Sequence, residues 1–189
     1  MSECELVRLA LKDQQTACKN REQILTIPAL KPIIGRQIKL LKKELEALEA
    51  QMLGHVRDHE ELSIRMDILK SIPGLGSTSA MSILIAMPEI GTLNEKQVGA
   101  LAGLAPMDQQ SGNWVGNAPI RGGRAALRKA LFMPALVASR CNPDLTAFYK
   151  RLLKAGKPKM LAITAVMRKL IIIANALIRD QRLGTQIKP

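Results

Sequence analysis

Residues 69–87 read LKSIPGLGSTSAMSILIAM, and they decide between a helical fold and anything else. A helix is expected to end near Ser71. The five residues Ile72-Pro73-Gly74-Leu75-Gly76 then turn the chain, and a helix of small and aliphatic residues starts at Ser77. Proline cannot continue a helix, whereas glycine takes up the turn conformations other residues avoid. The apolar-Pro-Gly-apolar-Gly spacing is that of a helix-hairpin-helix. In such a unit Gly74 and Gly76 let the backbone come close to a phosphate, and free N–H groups at the next helix start point outwards to bind it. That grip holds a nucleic-acid backbone without reading its sequence. The same five residues also suit an ordinary tight connection between packed helices.

Composition extends this helical reading to the whole chain. Hydrophobic residues make up 47% of the 189, yet Trp114, Phe132, Phe148 and Tyr149 are the only aromatics besides histidine. The chain can therefore bury a core, but an aliphatic one, which favours helices over a sheet of aromatic and β-branched residues. The expected class is all-α, organised as a helical linker and coiled-coil stalk over residues 1–68 and a helical domain over residues 69–189.

Upstream, residues 3–23 read as a helix of mixed polarity, broken by the two prolines of residues 27–32. Beyond the break Ile34, Leu41 and Leu48 stand seven apart, and Ile38, Leu45 and Met52 interleave with them. That is a heptad seam flanked by Lys39, Lys42, Lys43, Glu44, Glu46 and Glu49. It fits a dimerisation stalk or spacer, or a single amphipathic helix packed within its own domain. His55 and His59 share a helix face, but without a third ligand nearby they read as a solvated face, and no metal is assigned.

Downstream, a short helix is expected over residues 95–102, followed by the glycine-rich loop MDQQSGNWVGNAPIRGG of residues 107–123, with a short β-hairpin around Gln109 and Val115. A helix follows with Arg124, Arg128 and Lys129 on one side, to be kinked by Pro134. Asn142-Pro143 caps the next helix and Gly156 stops it. The final, mostly buried helix is expected to reach about Arg182. Its apolar run is interrupted by Arg168 and Lys169, which makes it a poor membrane span.

The formal charge of +12 is not spread evenly. Residues 1–110 carry 13 basic and 14 acidic side chains; residues 111–189 carry 15 basic ones against Asp144 and Asp180 alone. A surface that basic attracts polyanions, nucleic acid before acidic membranes, and the alternative is a ribosomal-type or merely soluble basic surface. Cys4, Cys18 and Cys141 are odd in number and scattered, as expected of reduced thiols in the cytoplasm rather than a secreted framework. The first residues have no apolar run that suits a signal peptide.

The stretches SIPGLGSTSA, QVGALAGLAP, QQSGNWVG, AALRKALFMPALVASRCNP, FYKRLLKAGKPK and AVMRKLIIIANALI stand in one order over residues 69–182. In that order they resemble the C-terminal domain of the DEDD-type, bridge-RNA-guided insertion-sequence transposases, the IS-one-ten family. Residues 3–66 resemble the linker and stalk that precede it. The resemblance implies that Ser111, in Gln110-Ser111-Gly112, is the nucleophile that attacks a DNA phosphodiester and forms a phosphoserine bond later reversed in strand exchange. Taken without it, Ser-Gly is a common turn pair. Exposed loops beside cations suit such a nucleophile, and Arg121, Arg124, Arg128 and Lys129 follow it closely.

The resemblance further implies a RuvC-like N-terminal domain with four acidic residues that bind magnesium. It also implies DNA as partner, a guide RNA, pairing of protomers through the stalk, and a nucleoid-associated cytoplasmic place. Residues 1–68 match none of that N-terminal domain, and Asn117, Ala118 and Pro119 stand where relatives carry several Lys or Arg. The expectation is therefore a C-terminal transposase region that binds DNA and holds a serine nucleophile without cutting unaided. The alternative is a non-catalytic DNA-binding or dimerisation module that modulates an intact transposase.

Overall fold

The computed structural model describes residues 2–106, 110–111, 114–115 and 120–184, with Ser2 and the strand residues as backbone only. Among these, five α-helices precede one two-stranded ribbon and three follow it, and the protein is all-α in class. Contacts divide the chain into two compact units, residues 1–63 and 64–189.

The first unit is built from α1 (Ser2–Ile24), a 3-10 turn at Pro28–Leu30 and α2 (Lys31–Arg57). The helix starts inside the predicted break, because proline at a first-turn position gives up only an N–H that has no intrahelical partner anyway. Arg8 meets Glu49, Cys18 meets Gln37, and Gly35 faces Glu22, so α1 and α2 run antiparallel. The heptad residues Ile34, Ile38, Leu41, Leu45 and Leu48 are half-buried and Met52 is buried. The opposing α1 positions Cys4, Arg8, Leu11, Gln15, Cys18 and Glu22 keep the same four-and-three spacing. The heptad seam thus meets α1 of its own chain, and the stripe it meets is largely polar. Arg8, 5% exposed, is held by Glu5 at 2.7 Å and Glu49 at 3.5 Å. Its guanidinium pKa is raised, first by the Glu5 hydrogen bond.

The second unit takes most of α3 (Glu60–Lys70), then α4 (Ser77–Ala86), α5 (Glu95–Leu101), the ribbon β1 (Gln110–Ser111) and β2 (Trp114–Val115), α6 (Ala125–Cys141), α7 (Pro143–Lys154) and α8 (Lys159–Arg179). The helix α4 buries Ala80 to Leu84 without a break, as a helix enclosed on all sides must. The helix α6 is central and packs on α4, α7 and α8. Its buried residues Leu127, Leu131, Pro134, Ala135 and Ala138 recur at helical spacing. Pro134 lies within α6, which continues on both sides of it.

The helix α8 buries Ala162, Val166, Leu170, Ile171 and Ala174 along one face. By length and composition alone it could cross a membrane, but 56% of its most apolar window is buried in the fold. Each large aliphatic side chain so buried contributes about 1.5–3 kcal/mol, which makes α6 and α8 the spine of the unit. The spine ends at Arg179, where Asp180 caps it, short of the expected Arg182.

Side-chain and glycine caps set the remaining boundaries. Asn94 and Gln97 form a reciprocal capping box at α5. Asn142 Oδ1 accepts the Leu145 N–H at the start of α7. Gly156, at φ +74°, closes α7, where its N–H reaches Leu153 O and that of Lys157 reaches Leu152 O.

Candidate nucleic-acid interface and serine loop

A tight turn joins α3 to α4. The Leu75 N–H bonds Ile72 O at 3.0 Å, and Ile72 and Leu75 are both buried. Its two glycines have different tasks. Gly74, at φ +104°, has Ala138 of α6 2.7 Å from where a side chain would begin, so close packing demands a glycine there. Gly76 is open: nothing lies within 4 Å of its would-be Cβ, and it precedes α4 without a side-chain cap. Gly76 before α4 is thus left open, while Gly74 packs the turn against α6. Ser71 fastens the other end of the turn, donating to Ile68 O at 2.6 Å and accepting the Gly184 N–H at 2.6 Å.

Ser111 stands in β1, opposite Trp114, and Gln110 stands opposite Val115. The ribbon falls within one residue of the predicted position. The side chains of Ser111 and Trp114 lie outside the described residues, as do Gln109, Gly112 and residues 117–119.

The ends of this loop are described, and they form a neck. Pro106 pairs with Ile120 across its two sides. Arg124 N–H donates to Leu101 O at 2.6 Å. Arg128 Nη1 donates to Gly122 O at 2.9 Å and to Gly103 O at 3.3 Å, tying both sides to α6. Gly103, Gly122 and Gly123 all have positive φ. A side chain on Gly123 would strike Gly103, and one on Gly103 would strike Arg128 and Gly122. The neck was not foreseen from sequence. Its signal was the lone Gly103 in AGL at residues 102–104 and the doublet Gly122-Gly123, but only the fold brings them together.

The four predicted cations divide in the same way. Arg124 is bound to Glu89 at 2.6 Å and to Ala86 O at 2.8 Å, fixing the start of α6 to the end of α4. The Glu89 carboxyl is held below its ordinary pKa, chiefly by that hydrogen bond. Arg128 is spent on the neck. Arg121 and Lys129 are exposed. The structure therefore gives Arg124 and Arg128 framework contacts that sequence reading had not assigned them, and leaves Arg121 and Lys129 turned to solvent.

The His55 and His59 rings lie 4.5 Å apart between centroids, tilted by 51°, and His59 Nδ1 lies 2.9 Å from His55 O. Among the described residues no group of three or more His, Cys, Asp or Glu side chains is placed to hold a metal ion.

The chain is similar to known proteins over much of its length. Residues 66–150 match the model of the transposase IS116/IS110/IS902 family. The pilin gene-inverting protein of Moraxella bovis is 33% identical over 168 residues, covering 87% of this chain and 52% of that protein. An uncharacterized 43.6 kDa protein of insertion element IS110 from Streptomyces coelicolor is 28% identical over 158 residues, 82% of this chain and 38% of its own length. A 42 kDa protein of insertion element IS900 from Mycobacterium paratuberculosis is 28% identical over 151 residues, 78% and 37% of the two chains. The chain spans about half the length, or less, of these curated relatives. The stretch from the end of α3 into α7 is thus similar to the transposase IS116/IS110/IS902 family.

Proposed function

We propose that this domain binds DNA by its backbone and presents Ser111 as the nucleophile of a strand-cleavage and exchange reaction. The observation that carries the reading is the neck. Glycines that tolerate no side chain, a guanidinium spanning two carbonyls and the Pro106–Ile120 pairing hold the two ends of the serine loop on α6. A loop so anchored can present a hydroxyl at a defined place. Arg121 and Lys129 border it as cations available to phosphate, and Gly76 with the start of α4 supplies N–H donors. The name of the Moraxella relatives, gene-inverting protein, speaks of DNA rearrangement and agrees with this chemistry.

In the cleavage step the Ser111 hydroxyl oxygen forms a bond to phosphorus and loses its proton, and the bridging P–O bond to the leaving deoxyribose breaks. The strand end then carries a free hydroxyl, and a phosphoserine ester joins protein to DNA. Exchange is the reverse attack by a new strand's hydroxyl, which releases serine. Proton acceptor and magnesium are assigned to a RuvC-like domain, so the 189 residues alone should bind duplex DNA in a salt-sensitive way and leave it uncut. Mixing the chain with the catalytic domain of an intact relative should yield a covalent protein–DNA adduct that disappears with Ser111→Ala. Magnesium-dependent cleavage by the chain by itself, lost in Ser111→Ala, would overturn the division of labour. An adduct that persists in Ser111→Ala would overturn the nucleophile.

The second reading is a non-catalytic DNA-binding or assembly module. It is favoured by the framework use of Arg124 and Arg128, which leaves fewer cations for a scissile phosphate. It predicts the same binding and no adduct under any mixture.

A further inference from the structure

The corner formed by α7 and α8 carries cations that neither the serine loop nor the hairpin employs. Lys150, Arg151 and Lys154 lie exposed on α7, Lys157 and Lys159 at the connection, and Lys169 on α8. Over residues 145–179 the chain has no Asp or Glu at all. Several cations elsewhere have carboxylate partners: Arg8 with Glu5 and Glu49, Lys42 with Glu46, Lys70 with Asp67, Arg124 with Glu89, Arg179 and Arg182 with Asp180. None of the six at the corner has a carboxylate partner among the described residues.

Two of the six are also brought together. Arg151 lies 5.3 Å and Lys169 4.9 Å from the centroid of the Phe148 ring, so cations from two helices share one aromatic side chain. Like charges gathered at one ring repel each other, and a polyanion relieves that repulsion. We propose that the α7–α8 corner is a second DNA-contacting surface, which takes the phosphate backbone of a duplex through Lys150, Arg151, Lys154, Lys157, Lys159 and Lys169. The proposal rests on the reading of this domain as DNA-binding and adds to it a surface outside the serine loop and hairpin.

The composition of the patch selects the partner. Protein interfaces are depleted in lysine, and this patch is five-sixths lysine. An anionic bilayer is held by a helix that lays an apolar face into the headgroup boundary. Here Leu145, Ala162, Ile163 and Val166 are already buried in the core, and only Met160 and Leu161 are exposed beside the charges. Backbone phosphates need neither apolar contact nor interspersed acids.

The test compares two sets of substitutions in the full chain, read by fluorescence anisotropy of a labelled random-sequence duplex at several salt concentrations. Lys154→Gln, Lys157→Gln and Lys159→Gln together remove three charges without touching Phe148. They should weaken binding at least ten-fold in about 0.1 M salt and lower the slope of log affinity against log salt by about two to three. Arg121→Gln with Lys129→Gln forms the comparison set, and circular dichroism confirms that both variants fold. Unchanged affinity and slope in the triple variant, with a loss in the Arg121 and Lys129 pair, would sink the second surface alone. No effect in either set would sink the DNA-binding reading beneath it. Tight binding of the wild-type chain to phosphatidylserine vesicles, abolished in the triple variant while duplex binding persists, would assign the corner to membranes instead.

Discussion

Arg121 and Arg128 are seven residues apart and chemically identical, yet they occupy opposite roles in the same segment. Arg128 spans Gly103 O and Gly122 O, two carbonyls that would otherwise face one another across the neck without a donor. Arg121 is exposed. Removing a donor from a partly buried carbonyl costs about 1–3 kcal/mol, whereas a solvated arginine can be replaced at almost no cost in stability. Arg128→Gln should therefore lower the unfolding free energy by about 1–3 kcal/mol in a urea titration. Arg121→Gln should leave the unfolding midpoint in place and weaken DNA binding. Equal stability losses in the two variants would refute the framework role of Arg128. Sequence reading placed both residues in one DNA-binding set because helical spacing shows which side chains share a face, but not which carbonyls a distant loop will bring there. Gly74 repeats the lesson: its glycine requirement was legible, but its cause is Ala138, 64 residues away.

Elements were more legible than contacts, because their determinants are local. The capping asparagines, the glycine that stops α7 and the periodicity of α6 and α8 are written within a turn or two of each boundary, and those helices fall where they were expected. The α2 heptad was legible as well, but its mate was not. The facing side of α1 reads Cys4, Arg8, Leu11, Gln15, Cys18 and Glu22, a stripe too polar to stand out as a seam. Only the sharp connection at residues 25–30 folds it back onto α2. An aliphatic stripe against a polar one makes a marginal pair, in which the apolar side provides most of the stabilisation. Introducing charge there should separate the helices. Leu41→Asp with Leu48→Asp should abolish amide protection of α1 in hydrogen exchange while α6 and α8 stay protected, since contacts group them in a different unit. Loss of protection across both units would show that they fold as one.

At the scale of the molecule, the net charge sorts by structural unit. Residues 1–63 hold ten basic and ten acidic side chains, and residues 64–189 hold the remaining 18 basic and six acidic ones. The first unit is therefore neutral and the second accounts for the whole +12. A neutral, salt-bridged helical hairpin has no net attraction for a polyanion, whereas counterion release from phosphate gives the second unit an affinity that falls steeply with salt. Duplex DNA added to the full chain should therefore slow hydrogen exchange within residues 64–184 and leave residues 2–57 unchanged. The helix starts and loops next to exposed cations should respond first: the start of α4, the segment around Arg121 and the α7–α8 connection. Raising salt from about 0.05 to 0.2 M should erase most of that footprint, since six to ten phosphate contacts lose about three to five orders of magnitude in affinity over this range. A footprint on α1 and α2 that survives the higher salt would mean that the hairpin itself contacts nucleic acid by shape or apolar contact, and that its charge balance is no guide to what it binds.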